Sequence, residues 1–219
     1  ERIRFTTSPP MEFTDSLIDA YRTVPTLVSH LHLPVQNGSD RILAAMKRGH
    51  TREEYIAKIR RIQAARPGIS LSSDFIVGFP GETDELFLDT YHFLNNLDIS
   101  YLHVFTYSER ANTTAIKLGD PVPQSVRKQR SQQLHILSDK KKRAFYEQNI
   151  GSTRTVLFEA EEDNGVMYGF TENYVKVKDD ERFKAFFKAL EMGAPMPQIE
   201  MSLRGKGVNP AILQCGNER

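Results

Sequence analysis

The chain has 219 residues, of which 39% are hydrophobic and 26% charged, so it can bury a core and global disorder is excluded. Its 29 basic and 28 acidic residues nearly cancel, so any affinity for nucleic acid has to come from local clusters of charge. The single cysteine, Cys215, excludes an internal disulfide and a cysteine-built cluster or zinc site, and no apolar run is long enough to span a membrane. We expect a cytoplasmic protein, and the strand-like start without an initiator methionine leads us to expect a piece of a longer chain.

Four strand-like segments recur in the first half of the sequence, and a helical pattern follows each of the first three. The strand-like segments are residues 2–7, 30–35, 71–78 and 101–108. Apolar residues spaced three and four apart predict the intervening helices within residues 12–24, 52–65 and 84–97. Strands that alternate with helices indicate an α/β fold of parallel βαβ units, which is either a barrel or a doubly wound sheet.

Parallel folds of this kind bind their ligands beyond the carboxyl ends of the strands. The segments predicted to lie there are residues 7–8, 36–40, 78–82 and 107–110. They contain polar side chains and glycines, but no nucleophile with an adjacent base and no metal-ligand cluster. The sequence therefore predicts an edge that holds a ligand, while the chemistry comes from something other than these side chains.

Two turns at this edge contain the candidate contacts. In "SSDFIVGFPGETDE", residues 72–85, Gly78 and Gly81 are equally well explained as ordinary turn glycines. Asp74 interrupts an apolar strand, so it needs a partner, which is either a structural arginine or a ligand. In the turn at residues 36–40, helix capping explains Ser39 or Asp40 but leaves Gln36 unexplained.

The six histidines are scattered without the spacing of a metal-binding motif. His30 and His32 alternate on one predicted strand, and a metal role for them is a minor alternative to a structural one. We therefore predict no metal ligands in this chain.

A strongly basic helix is predicted at residues 124–148, where seven residues are basic and two are acidic. A solvated helix face is the ordinary explanation of such a run, but the local excess of positive charge favours contact with phosphates. Residues 149–178 then alternate like two or three strands joined by an Asp-Asn-Gly turn. The predicted RNA contacts on the helix and this β module are Arg127, Arg130, Lys140, Lys141, Lys142, Arg143, Arg154, Tyr174 and Lys176.

Three motifs, at residues 2–15, 30–55 and 72–85, resemble the second half of the radical S-adenosylmethionine (SAM) barrel of the tRNA methylthiotransferases. The β module resembles the start of that family's RNA-binding TRAM domain. Residues 1–83 resemble the MiaB subfamily, which acts on isopentenyladenosine, and residues 100–178 resemble the MtaB subfamily, which acts on threonylcarbamoyladenosine. Natural divergence, a chimeric gene and an error of gene assembly each explain this pattern.

The resemblance implies C2-methylthiolation of adenosine 37 in the tRNA anticodon loop, with SAM and two [4Fe-4S] clusters as cofactors. It implies that the SAM pocket includes Gln36, Ser39, Asp74, Gly78 and Glu82. The family's N-terminal domain and its C-x-x-x-C-x-x-C motif are not found in this sequence, so we expect catalytic residues and cluster ligands outside this chain. The alternative is a non-catalytic module that binds RNA or a protein.

The domain prediction has four parts: the end of an incomplete barrel with one exposed edge, a basic linking helix, a TRAM-like module and a helical tail. Their bounds are residues 1–123, 124–148, 149–178 and 179–219. The tail resembles a short helical motif of eukaryotic actin-regulating complexes, which makes it a candidate contact for a protein partner.

Overall fold

The computed structural model describes residues 2–5, 9–163 and 166–178, with the side chains of 160–163 left out of the description. These residues divide into two compact units, one of residues 2–150 and one that begins at residue 151. The predicted tail at 179–219 and the predicted strand end at Thr7 and Ser8 lie outside the described residues. None of the described helices is both long and apolar enough to cross a membrane.

The first unit is a mixed α/β arrangement with a three-stranded parallel sheet in the order β1-β2-β3. This confirms the predicted α/β class and the parallel βαβ units. Its elements are α1 (Asp15–Thr23), β1 (His30–His32), α2 (Asp40–Ala45), α3 (Arg52–Ala65), β2 (Ser70–Val77), α4 (Asp84–Asn96), β3 (Tyr101–Thr106) and α5 (Gln124–Asn149), with 3₁₀ turns at Pro10–Glu12 and Thr114–Lys117.

Of the first predicted strand the structure describes residues 2–5, and the second strand is shorter than the sequence pattern indicated. Ile3 forms only an isolated parallel bridge with Leu27. The strand predicted at 30–35 ends at His32, because Pro34 has no N–H to donate to a ladder, and pairing returns only at a bridge between Gln36 and Phe75.

The start of each long helix is fixed by local chemistry. Thr51 and Glu54 form a reciprocal capping box at the start of α3, and the Thr83 hydroxyl accepts the N–H of Leu86 at the start of α4. These caps place α4 directly after the turn at residues 78–82.

One face of the parallel sheet and the helices form the apolar core. This face carries Leu31, Leu33, Leu71, Phe75 and Val77, which are all almost fully buried. Burying side chains of this size contributes about 1.5–3 kcal/mol each, so this face accounts for much of the stability of the unit.

Helix α5 belongs to this unit and packs on β3, although the sequence suggested a separate linking helix. Leu134 and Leu137 of α5 are buried in the core. The Ser138 hydroxyl accepts the N–H of Leu102 and donates to its carbonyl oxygen, both at 2.9 Å. The helix thus supplies partners for backbone groups of β3, the last strand of the sheet.

The second unit contains an antiparallel sheet of β4 (Val156–Asp163), β5 (Val166–Thr171) and β6 (Lys176–Lys178). The last residue of β4, Asp163, pairs with the first residue of β5, Val166, at the position where the sequence predicted a turn. The assignment of the second unit as a TRAM domain stays a prediction.

Candidate ligand-binding site

The second face of the parallel sheet is polar. Side chains alternate between the two faces along each strand, so His30 and His32 share this face with Ser70, Ser72 and Asp74. His30 Nδ1 lies 2.7 Å from Ser70 Oγ, and His32 Nδ1 lies 2.9 Å from Ser72 Oγ. Burial lowers the pKa of His30 to about 3, so its ring is neutral.

A cavity of about 530 Å³ lies where the strands of this sheet end. Gln36, Asp74 and Tyr107 are among its polar lining residues, and Arg48 and Arg110 also contribute. Its apolar lining includes Ile76, Phe79 and Phe105. Apolar walls with a few polar groups are typical of small-molecule sites, and a cavity of this kind lies at the edge where the sequence predicted ligand binding.

Gln36 has an unusual backbone conformation, with φ of +79°. Its N–H donates to the carbonyl of Asp74 and its carbonyl accepts the N–H of Ile76, each at 2.9 Å. These two bonds to β2 hold a residue type that seldom adopts positive φ, and such strain concentrates at functional sites. The sequence singled out Gln36 by its position but contained no sign of this conformation.

Tyr107 lines the cavity and belongs to the segment 107–110 that the sequence placed at this edge, although it was not predicted to contact SAM. Its hydroxyl oxygen is buried and has no hydrogen-bond partner among the residues that the structure describes. Its ring contacts Phe79 edge-on at 5.2 Å, and the Arg127 guanidinium lies 5.3 Å from the ring centroid. A buried hydroxyl normally has a partner, so this group is a candidate ligand contact.

Asp74 lies beside His32, with Oδ1 of the carboxylate 3.2 Å from Nε2 of the ring. The sequence required a partner for this carboxylate and offered a structural arginine or a ligand. In the structure the group beside this carboxylate is a histidine of the neighbouring strand rather than an arginine, and the ligand role stays a prediction.

The other three predicted SAM contacts are not among the residues that line the cavity. The Ser39 side chain is buried, and its N–H donates to the side chain of Asn37. Gly78 has φ of +75° and donates its N–H to Glu82 Oε1 at 2.9 Å, and a β-carbon at Gly78 would overlap the Arg127 side chain. These residues support the turn that carries Phe79.

Glu82 is the centre of a buried polar network. Its carboxylate accepts from Arg130 at 2.7 Å and from Asn37 at 3.3 Å, in addition to Gly78. Burial raises the pKa of Glu82, whereas the Gly78 N–H and Arg130 favour its charged form. The carboxylate is thus engaged with protein groups.

Two of the predicted RNA contacts, Arg127 and Arg130, lie in the interior, which corrects their expected position on a phosphate-facing surface. Only 4% of Arg127 and 5% of Arg130 are exposed. Arg130 also bonds Asp84 at 2.6 Å, while Arg127 pairs with Glu109 and donates to the carbonyl of Tyr107 at 2.9 Å. Buried guanidinium groups need such partners, and these ones tie α5 to the strand ends.

The basic residues near the end of α5 are placed differently. Lys140, Lys142 and Arg143 are exposed. Lys141 is half-buried and donates to the carbonyls of Asn95 and Leu97 at 3.2 and 2.7 Å, at the end of α4. The structure therefore leaves three of the four consecutive cations on the surface.

In the second unit, the predicted RNA contacts lie on or beside the antiparallel sheet. Arg154 pairs with Glu172 at 2.9 Å, and Tyr174 stacks on Phe170 with ring centroids 4.6 Å apart. The Lys176 ammonium lies 4.4 Å from the centre of the Tyr168 ring. Basic and aromatic groups are therefore interleaved on this sheet.

Two family models match parts of the sequence. The model of the radical SAM superfamily matches residues 1–94, and the model named "Subunit CCDC53 of WASH complex" matches residues 103–214.

Curated relatives are similar to nearly the whole chain. A protein of Chromohalobacter salexigens named tRNA-2-methylthio-N(6)-dimethylallyladenosine synthase is 45% identical over 217 residues, which is 96% of this chain and 48% of the relative. A protein of the same name from a Marinomonas species is 51% identical over 79% of this chain and 39% of the relative. Another, from Hahella chejuensis, is 46% identical over 95% of this chain and 47% of the relative. The chain spans about half the length of these relatives.

Among solved structures, coproporphyrinogen III oxidase from Escherichia coli, described as a radical SAM enzyme, is similar at a TM-score of 0.48 and 21% identity. The likeness covers 71% of this chain and 33% of that one. The alignments with the Chromohalobacter and Hahella synthases cover 96% and 95% of this chain, so they include residues that the CCDC53 model also matches.

Proposed function

This chain belongs to the radical SAM tRNA methylthiotransferase family, and we propose that it supplies part of the SAM pocket and part of the tRNA-binding surface of such an enzyme. The single observation that carries the SAM pocket is the cavity at the strand ends, with the strained Gln36 and the unpartnered Tyr107 hydroxyl in its lining.

The proposed reaction of the whole enzyme is C2-methylthiolation of adenosine 37 in the anticodon loop of a tRNA. Relatives aligned over up to 217 residues carry the dimethylallyladenosine name, which supports the isopentenyl-type (dimethylallyl) adenosine as substrate over threonylcarbamoyladenosine. These alignments include the segment that resembles the MtaB subfamily in sequence.

The family uses [4Fe-4S] clusters and SAM, and only SAM fits the residues present here. A [4Fe-4S] cluster is held by several cysteine thiolates, and this sequence has a single cysteine, Cys215. The residues of this chain therefore do not fit a [4Fe-4S] cluster.

SAM fits the chemistry of the cavity. Its adenine would pack on the apolar residues Ile76, Phe79 and Phe105, and the Asp74 carboxylate and the Tyr107 hydroxyl would bind its polar groups. SAM supplies the radical chemistry when it is bound, whereas these side chains bind it, orient it and exclude water.

For tRNA binding, we propose two separate contacts, one on each unit: the exposed cations Lys140, Lys142 and Arg143 on α5, and Arg154, Tyr174 and Lys176 on the second unit. Cations that contact phosphates and aromatic rings that stack on bases are the two components of single-strand recognition. Arg127 and Arg130 do not belong to either proposed contact, because they are buried.

SAM binding by the chain tests the pocket directly. Calorimetry should show one site, and Gln36→Ala and Tyr107→Phe should each weaken it about 2- to 10-fold, the equivalent of one hydrogen bond. Gln133→Ala, on the exposed side of α5, is the matched control and should leave affinity unchanged. A folded chain that shows no saturable heat at millimolar SAM would contradict the pocket proposal.

A chimera tests the activity of the whole enzyme. The N-terminal half of the Chromohalobacter synthase is joined to this chain and expressed in bacteria that lack the native enzyme. Mass spectrometry of hydrolysed tRNA should then show the 2-methylthio nucleoside. If a soluble, cluster-loaded chimera yields none while the intact synthase does, this chain does not complete the enzyme and the binding-module alternative is favoured.

A second proposal, for the tail at 179–219, is contact with a protein partner. The match of residues 103–214 to a subunit of a protein complex favours it. Cross-linking of the purified chimera and of a version that ends at residue 178, both in cell extract, tests it. Loss of a specific cross-linked protein on removal of the tail is expected, and identical cross-links would contradict it.

A further inference from the structure

Three side chains from three neighbouring strands meet on the polar face of the parallel sheet. His32 belongs to β1, Asp74 to β2 and His103 to β3, and Asp74 and His103 are directly paired in register. One nitrogen or oxygen from each residue lies within 4.8 Å of the others. We propose that His32, Asp74 and His103 bind one divalent transition-metal ion of the Zn²⁺ class.

The distances fit an ion of this size. Ligand atoms at about 2.1 Å from a tetrahedral Zn²⁺ lie roughly 3.4 Å from one another. Nε2 of His32 and Oδ1 of Asp74 are already 3.2 Å apart. The rings of His32 and His103 meet edge-on with their centroids 5.3 Å apart, and a ligand nitrogen of the exposed His103 lies within 4.8 Å of a ligand atom of each of the other two residues, so His103 is the side chain that would have to move to coordinate the ion.

A hydrogen bond on the side of the ring away from Asp74 fixes the orientation of His32. Its Nδ1 hydrogen-bonds Ser72 Oγ at 2.9 Å, which leaves Nε2 on the side of Asp74. A hydrogen bond from the second ring nitrogen is the usual way in which proteins orient a metal-binding histidine. Ser72 itself is buried, so this support is rigid.

The donor set determines the class of ion. Two imidazoles and one carboxylate suit Zn²⁺, Co²⁺ or Fe²⁺ better than Mg²⁺ or Ca²⁺, which prefer oxygen ligands. Three protein ligands leave a coordination position open for water or another ligand. Asp74 also lines the cavity, so this position would be accessible from the ligand-binding site.

The simpler alternative is a His32–Asp74 hydrogen bond with His103 beside it by chance. That arrangement accounts for the 3.2 Å contact and attributes the proximity of His103 to the strand register, which pairs it with Asp74. Metal titration distinguishes the two alternatives, because only the proposed site binds an ion and needs both His32 and His103 to do so.

The test uses the untagged chain with Cys215→Ser, so that its only thiol cannot bind metal. After removal of metal with a chelator, Zn²⁺ is titrated in competition with a chromophoric chelator. We expect one ion per chain, and His32→Ala, Asp74→Asn and His103→Ala should each weaken binding at least about tenfold, with Ser72→Ala weakening it by about tenfold. His92→Ala and His135→Ala, which remove histidines on helices away from this face, should have no effect.

A measurement on the chain with its histidines intact guards against variants that do not fold. Histidine ring nitrogen signals in ¹⁵N NMR should shift on addition of Zn²⁺ for His32 and His103 and stay unchanged for His92 and His135. Absence of one-to-one binding, or equal affinity in folded His32→Ala and His103→Ala chains, would overturn the proposal. SAM binding is measured separately without added metal, so that a failure of the metal-site proposal can be distinguished from a failure of the SAM-pocket proposal.

Discussion

The two ends of helix α5 carry similar positive charge but have opposite environments. Near its start, Arg127 and Arg130 are buried and bonded to Glu109, Glu82 and Asp84. Near its end, Lys140, Lys142 and Arg143 are exposed. The first pair holds the strand ends around the cavity, whereas the second group is available to a polyanion, so a run of cations along one helix does not form one functional surface.

The buried end should dominate stability. Arg130→Ala leaves Glu82 buried without its cationic partner, which should lower the free energy of unfolding by about 3–5 kcal/mol. Urea denaturation followed by circular dichroism measures this, with Arg143→Ala at the exposed end as the control. Equal midpoints for the two variants would show that the buried network does not stabilise the unit.

The turn beside Arg127 should be the next most sensitive position. Gly78→Ala introduces a β-carbon at positive φ and against the Arg127 side chain, and both effects together should lower unfolding free energy by about 2–4 kcal/mol. Gly81→Ala is the matched control, because Gly81 also has positive φ but no atom within 4 Å of the added carbon. A destabilisation at Gly78 no larger than that at Gly81 would mean that packing against Arg127 is unimportant.

Lys141 is intermediate between the buried and the exposed basic residues of α5, because it is half-buried. Its ammonium binds carbonyls at the end of α4, and burial lowers the pKa of Lys141. Lys141→Ala should therefore reduce stability by about 0.5–1.5 kcal/mol, while Lys140→Ala should change it by less than about 0.5 kcal/mol. The same denaturation measurement distinguishes the two lysines, and an unaffected Lys141→Ala chain would place Lys141 with the surface cations.

The exposed basic residues at the end of α5 should contribute least to the free energy of unfolding and most to tRNA affinity. A Lys140/Lys142/Arg143→Ala variant should keep its unfolding midpoint close to that of the unchanged chain. Its tRNA affinity should fall, and the slope of log affinity against log salt should become shallower by about 0.7–0.9 for each phosphate that the variant no longer binds. Fluorescence anisotropy over a salt series measures both, and an unchanged slope would remove these residues from the RNA-binding proposal.

Much of the fold was predictable because it depends on local sequence. The period of apolar residues predicted α3, α4 and α5, and Thr51 and Thr83 mark the starts of α3 and α4 through hydrogen bonds to residues three positions away. The alternation of strands and helices predicted that the strand ends meet, and Gln36 from one predicted strand end lines a cavity there. Asp74, which the sequence placed inside a strand and the family resemblance placed in the pocket, lines the same cavity.

Tertiary structure alone decided which polar groups meet and which charges are buried. His32, Asp74 and His103 come together only because three strands pair in one register, and no local pattern marks His103 as their neighbour. Arg130 is buried because α5 packs on β3 and brings its guanidinium to Glu82, which is 48 positions earlier in the chain. A sequence specifies charge and periodicity residue by residue, whereas the partner that makes a buried charge tolerable is fixed only when distant segments pack.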